Sequence, residues 1–153
     1  MSTTTTTRPT LRRRTGRRVG LAATAAIVVF TMAACMNADQ QTAFDHVNNS
    51  RTYRSIPALV HDATAQSKAQ AWAEHLASRN TLAHSNLRDG MDDQWTKLAE
   101  NVGYGSSIGS VHSQFMGSSE HRGNILDRSF THVGVGVAHA HGRTFVVQVF
   151  SRR

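Results

Sequence analysis

The sequence has one cysteine, Cys35, and so has no partner for an intrachain disulfide. Exported domains often rely on such bonds, and here packing must supply the stability instead. Acidic residues are missing from the N-terminal part: all ten lie after Cys35, whereas Arg8, Arg12, Arg13, Arg14, Arg17 and Arg18 lie before it. From residue 36 onward eleven basic side chains face ten acidic ones, a net charge of +1. The sequence pI of about 11.0 therefore belongs to the leader and gives no support to nucleic-acid binding by the rest. Also absent are a His-Glu-x-x-His metalloprotease signature, an evident Ser-His-Asp order and any internal repeat.

What the N-terminus does contain is a basic stretch followed by an apolar run over residues 19–34, interrupted by Thr24 and Thr31. The run is short for a membrane span and has the arrangement of a secretory signal, so residues 1–34 are expected to be a signal peptide. The cationic stretch favours the cytoplasmic side while the apolar run inserts. Cys35 directly follows Met32-Ala33-Ala34, which resembles a bacterial lipobox with methionine in place of the usual leucine. The resemblance implies that Cys35 is lipidated and is the first mature residue. Ordinary signal-peptidase cleavage with free secretion and an uncleaved membrane anchor are the alternatives, and Arg17-Arg18 also permits a twin-arginine export route. Residues 35–40 then form the lipidated cysteine and a short polar tether. Residues 41–153 form one domain, since about 115 residues suffice for one core but not two.

Within that domain the helical pattern starts near Thr42, with Ala43, Phe44 and Val47 on one side, and breaks before Pro57. A second helix is expected over residues 61–78, where Ala65, Ala69, Trp72 and Leu76 recur at spacings of 4, 3 and 4. Trp72 reads as core, with the wall of a ligand site as the alternative. Asp92 or Asp93 is placed to cap a short helix reaching Leu98 to Glu100, the Gly/Ser-rich residues 103–110 read as a loop, and a further helix spans residues 108–116. The end reads as a hairpin of residues 133–138 and 144–150 turning near Gly142. Helices followed by terminal strands give an α+β class.

One strand of that hairpin alternates Val133, Val135 and Val137 with Gly134 and Gly136. Its side-chain-free face predicts that a neighbouring element or ligand approaches the backbone closely, and it places the nearby His121 beside a sheet. Just upstream runs SSEHRGNIL over residues 118–126, and two further segments are LAHSN (82–86) and AENVGYG (99–105). In this order, with THVGVGVA (131–138) and Gln148-Val149-Phe150 closing the chain, the segments resemble the bacterial branch of the CAP superfamily, or SCP domains, over residues 40–151. The resemblance implies an α-β-α sandwich, with a small mainly antiparallel sheet between helices.

It also implies a cleft. Better-known members line theirs with two histidines and two glutamates, and three of the four match here as His84, Glu100 and His121. The position of the second glutamate is held by Ser118, and Glu120 is a carboxylate next to His121. Two imidazoles and a carboxylate suit a divalent metal such as Zn2+ with one position left open, and equally suit acid-base work in which Glu100 raises a histidine pKa. The bland reading of each histidine is a hydrogen-bonded structural residue. Ser85 has no nucleophile constellation. Asn101 and Asn124 read as loop ties and Arg122 as a partner for a carboxylate or helix end. His139 and His141 form a rival metal pair that a turn should expose. His46, His61, His75, His112 and His132 receive no role.

Three functions compete: a non-enzymatic extracytoplasmic module whose cleft or flanking groove binds a small apolar or cell-envelope ligand, with or without a metal; a hydrolase of peptide or envelope substrates; and a structural or protein-binding module. The first ranks highest because no accepted nucleophile or protease signature is present, and fold resemblance does not choose a ligand. The N-terminal reading has its own test. Acyl chains contribute about 0.8 kcal/mol per buried methylene, so a properly cleaved Cys35→Ser protein should leave the detergent phase on fractionation. Unchanged partitioning would exclude the lipid anchor.

Overall fold

A computed structural model describes Met1, Ser2 and residues 35–153, so most of the expected leader lies outside the described residues. The fold that follows lies within one compact unit, Met32–Arg153. Its elements run α1 (Ala38–Thr52), β1 (Val60–His61), α2 (Ala63–Arg79), β2 (Lys97–Gly105), α3 (Ile108–Gly117), α4 (Ser119–Leu126), β3 (His132–Ala140) and β4 (Arg143–Arg152). No helix among the described residues is long and apolar enough to cross a membrane.

The four strands form one sheet in the order β1-β3-β4-β2, parallel only where the two residues of β1 meet β3. Central β4 is buried along nearly its whole length because helices cover both sheet faces. Alternation along the strands sorts the core accordingly. Phe145, Val147 and Val149 pack with Ala65, Ala69, Ala73 and Leu76 of α2. Val133, Val135, Val137, Val146 and Phe150 pack with Ala43 and Val47 of α1, Val111 and Phe115 of α3, and Ile125 of α4. The chain is thus α+β, an α-β-α sandwich around a small mainly antiparallel sheet.

The glycine face of β3 meets α2. A Cβ on Gly134 would stand 2.0 Å from Gln66 N, and one on Gly136 would stand 2.2 Å from Ala69 C and O. The element against these glycines is therefore a helix backbone, seated through the small side chains Ala65 and Ala69. Asp62 starts α2 by accepting the amide protons of Thr64 and Ala65, and left-handed Asn80 (φ 51°) ends it. Gln70 then closes the outer edge of β3 where β1 has run out: its side chain accepts from Val137 N at 2.9 Å and donates to Val137 O at 3.0 Å.

On the other face buried Arg51 of α1 donates to Pro57 O, Ile125 O and Asp127 O, joining α1 to the end of α4. Beside it α1 meets α3 through stacked His46 and His112 rings, centroids 5.0 Å apart. Burial and the neighbouring His46 push the His112 pKa down to about 4, so it packs as a neutral ring.

Three expectations change. Residues 38–40, placed in a tether, form the first turn of α1 because Asn37 and Gln40 make a reciprocal capping box, and Gln40 is buried. The short helix expected to reach Glu100 is absent: residues 97–105 form β2, pairing with β4 from Lys97 opposite Arg152 to Gly105 opposite Thr144. The loop expected over residues 103–110 shrinks to Ser106 and Ser107, since Gly103 to Gly105 finish β2 and Ser107 caps α3. The hairpin, its turn at His141 and Gly142, and the helix beginning at Ile108 stand as expected.

The close approach of α2 generates a test. Gly136→Val should destabilise the protein by on the order of 1–3 kcal/mol through overpacking, measured as a lower denaturation midpoint. A wild-type midpoint and slope would mean that the helix yields at no cost.

Candidate functional site

The site sits around β2, which is an edge strand, so segments can reach it from both sheet faces. Consecutive side chains point to opposite faces, and Glu100 and Asn101 use this to hold two different segments. Glu100, buried on the α2 side, accepts three hydrogen bonds. Ser85 N donates to Oε1 at 2.9 Å, Ser85 Oγ donates to Oε2 at 2.6 Å, and His84 Nδ1 lies 2.8 Å from Oε1. An ionised carboxylate has no proton to give, so Nδ1 is the donor and Nε2 is left as the unprotonated nitrogen of neutral His84. The ring itself is exposed, with 62% of its side-chain surface accessible against 1% for Glu100.

Asn101, on the opposite face, donates to His121 O at 3.1 Å and to Gln148 Oε1 at 3.0 Å, and accepts from Asn124 Nδ2 at 2.9 Å. This fixes the first turn of α4 against the sheet. Ser118 caps that helix, accepting the His121 amide proton at 3.4 Å, and Arg122 donates to Met116 O at the end of α3. The helix-end reading of Arg122 therefore holds, whereas Asn101 and Asn124, expected to tie loops to the backbone, join helix α4 to strand β2. The His121 ring packs against Phe115, centroids 5.0 Å apart. Its pKa lies below the ordinary histidine value, first because it is partly buried and second because His84 is close enough for its charge to repel; Glu120 opposes both.

Of the four expected cleft residues, His84 and Glu100 are thus in direct contact and His121 is their electrostatic neighbour. Ser118 serves as a helix cap, and Glu120 is exposed, acting on His121 only as a nearby negative charge. Glu100 is turned to Ser85 and His84 instead of standing open as a ligand. Among the described residues no three His, Cys, Asp or Glu side chains gather where they could hold a metal ion. Were a metal to bind here, His84 Nε2 and the His121 ring would be the groups left to hold it, with Glu100 orienting the His84 ring. The rival pair does not form a site of that kind: His139 binds Asp39 Oδ2 at 2.8 Å and Thr144 Oγ1 at 3.2 Å, and His141 occupies the exposed turn with φ 54°.

Two contributors escaped the sequence reading. Ser85, weighed only as a nucleophile, is the double donor that locks Glu100. Trp72 is half-buried, and its Nε1 donates to Ala83 O at 2.9 Å, fixing the segment that carries His84. A serine directly after the cleft histidine and two residues able to reach one carboxylate was the available signal for Ser85; Trp72, read as core with a ligand wall as the alternative, is half-buried, and its bond to Ala83 had no signal in the sequence.

The site yields a pH prediction. Followed by NMR, His121 should titrate below the ordinary value of about 6.5, and in His84→Ala its pKa should rise only part of the way back, because burial is the larger cause. A complete return would make His84 the dominant influence; no movement would mean that the two rings do not interact.

Comparison with known proteins bears on this geometry. The model of the CAP family, described as the cysteine-rich secretory protein family, matches residues 44–150. No curated protein sequence matches the chain. Among solved structures the chain is similar to an extracellular protein containing an SCP domain from Bacillus anthracis, with 26% identity, a TM-score of 0.65, and coverage of 75% of this chain and 40% of that one. It shares its fold with an outer surface protein of Borrelia burgdorferi, at 17% identity, TM-score 0.66, and coverage of 75% and 92%. The same holds for a cysteine-rich secretory protein of Staphylococcus aureus, at 18% identity, TM-score 0.64, and coverage of 75% and 39%. The chain therefore spans less than half of the Bacillus and Staphylococcus proteins. With the family model covering most of the sheet and helices, and with His84, Glu100 and His121 all inside the matched residues, the chain belongs to the CAP family.

Proposed function

We propose that this chain is an exported, non-enzymatic CAP domain that works at the cell envelope as a binding module, with a divalent-metal site formed by His84 Nε2 and His121. The observation that carries the reading is the contact of His84 Nδ1 with the buried Glu100 carboxylate, which leaves Nε2 as the nitrogen available on an exposed side chain. Glu100 acts here as the group that orients the ligand, a change from its expected place in the ligand set. His121 contributes the second imidazole, and its lowered pKa keeps it unprotonated to lower pH than an ordinary histidine. Zinc is preferred to magnesium because imidazole is a poor ligand for magnesium.

Export and surface location rest on the leader-like N-terminus and on the likeness to extracellular and outer-surface proteins. Attachment through a lipid on Cys35 belongs to the same proposal. The hydrolase reading has less behind it, since the Ser85 hydroxyl donates to Glu100 and the histidine binds the carboxylate, not the hydroxyl.

Zinc titration by calorimetry tests the site. Saturable binding should vanish in a protein carrying both His84→Ala and His121→Ala and persist when His139 and His141 are replaced by alanine. Because only unprotonated imidazole binds metal, affinity should weaken as pH falls below about 6.5. The reverse mutant pattern would move the metal to the hairpin, and no binding to the native protein at neutral pH would leave the two histidines with a hydrogen-bonding role.

A further inference from the structure

A pocket of ≈ 520 Å³ opens between α2 and the turn after residue 86, lined by Ser67, Lys68, Trp72, His75, Ser85 and Asp89 among others. Its size falls in the range of small-molecule sites. The chemistry of its wall is specific because most of its polar side-chain atoms are already engaged within the protein. Trp72 Nε1 donates to Ala83 O at 2.9 Å, and Ser85 Oγ donates to Glu100 Oε2 at 2.6 Å. Lys68 Nζ donates to Asn86 O and Asp89 O, both at 2.7 Å, Ser67 Oγ donates to Ala63 O, and Asp89 Oδ1 accepts from Asn86. What is left to a ligand, besides the His75 ring nitrogens and Asp89 Oδ2, is ring and aliphatic surface.

The rings are also set in place. Trp72 and His75, one helical turn apart on α2, stack with centroids 4.6 Å apart and planes 13° apart. Across the pocket, Gly90 at φ +76° leaves the opposite turn without a side chain, and a Cβ there would reach only Lys68 Cβ, at 3.9 Å. Flat aromatic surface facing a low turn rewards a flat ring over a flexible chain, because ring-on-ring contact adds to the burial of apolar area and a chain must also give up its rotational freedom.

We infer that the Trp72 pocket is a ligand site for an apolar aromatic ring, separate from the two histidines although it shares Ser85 with their support. The inference rests on reading the chain as a binding module but not on the metal. The occupant needs no charged group and no hydrogen bond to the side chains that line the wall. It lies against α2 on one side and the turn at Asp89 and Gly90 on the other. Trp72 therefore has two tasks in one position: its indole edge pins Ala83, and its ring surface contacts the ligand.

Calorimetric and NMR titration of the full chain with 2-naphthol, in metal-free buffer, tests this. Binding should be saturable, with a dissociation constant of about 1 mM or tighter, and should shift the amides of residues 71–75 and 85–90. Ala71→Leu, which fills the pocket from an exposed helical position and leaves Trp72 intact, should weaken binding about tenfold, as should Trp72→Ala if it folds. The His121→Ala protein, which lacks one imidazole of the metal site and leaves the loop that walls the pocket untouched, should bind 2-naphthol as the native chain does, which separates failure here from failure of the metal site. Native affinity in Ala71→Leu, or shifts spread over the surface, would overturn the site. 1-Octanol should bind about two- to tenfold more weakly; equal or tighter binding would overturn the preference for a ring.

Discussion

The contact on which the rest of the molecule depends is the seating of the α2 backbone on the bare face of β3. At Gly134 and Gly136 no side chain stands between helix and strand, and the smallest possible one would collide with backbone atoms of residues 65, 66 and 69. Helix and sheet are therefore closer than ordinary side-chain packing allows. That closeness makes small residues obligatory on the facing side of α2, hence Ala65, Ala69 and Ala73, and it leaves the bulky Trp72 to project from the flank. There Trp72 meets Ala83 and fixes the segment that lifts His84 to Glu100. A packing constraint in the core thus sets the position of a ring at the surface.

The opposite face is organised by polar side chains in a similarly indirect way. Arg51 gathers three carbonyls from the chain before β1 and the end of α4, and Asn101 takes the carbonyl of His121 at the other end of the same helix. Held at both ends, the eight residues of α4 need no strong apolar stripe of their own, and Ile125 is the one fully buried side chain they supply. The His121 ring then stands partly buried against Phe115, and its lowered pKa follows from that placement. Neither histidine is positioned by its own packing alone; each is held by the residue that β2 directs to its side of the sheet.

This arrangement explains which parts could be read from the sequence. Helix α2, helix α3 and the terminal hairpin carry clear apolar periodicity or turn chemistry, and they appear where expected. Strand β2 does not: Ala99, Glu100 and Asn101 run into its centre, residues with little β-propensity and no apolar alternation. It is a strand because β4 offers it a complete ladder of partners, and it is polar because its side chains serve the site. The conflict between local preference and final structure falls at the candidate site itself. The resemblance identified His84, Glu100 and His121 and left open whether they share a metal or divide acid-base work. Their division between orienting group and exposed ring depends on hydrogen-bond directions, which spacing does not encode.

The buried carboxylate is the step that joins fold and site. Taken out of water without compensation, Glu100 would be strongly unfavourable. Its two oxygens instead receive an amide proton, a hydroxyl proton and an imidazole proton, all from two consecutive residues, His84 and Ser85. Lys68, whose own pKa is lowered by burial and raised in part by Glu100 and Asp89, adds a positive charge on the same side. Lys68 meanwhile donates to Asn86 O and Asp89 O, so the charge that favours Glu100 also ties down the turn that walls the Trp72 pocket. The loop between α2 and β2 has no helix or strand of its own, and it is held by one buried anion, one lysine and one indole. The lysine and the indole also line the pocket, and the anion orients the exposed histidine, so a perturbation that loosens the loop must disturb the histidine and the pocket together.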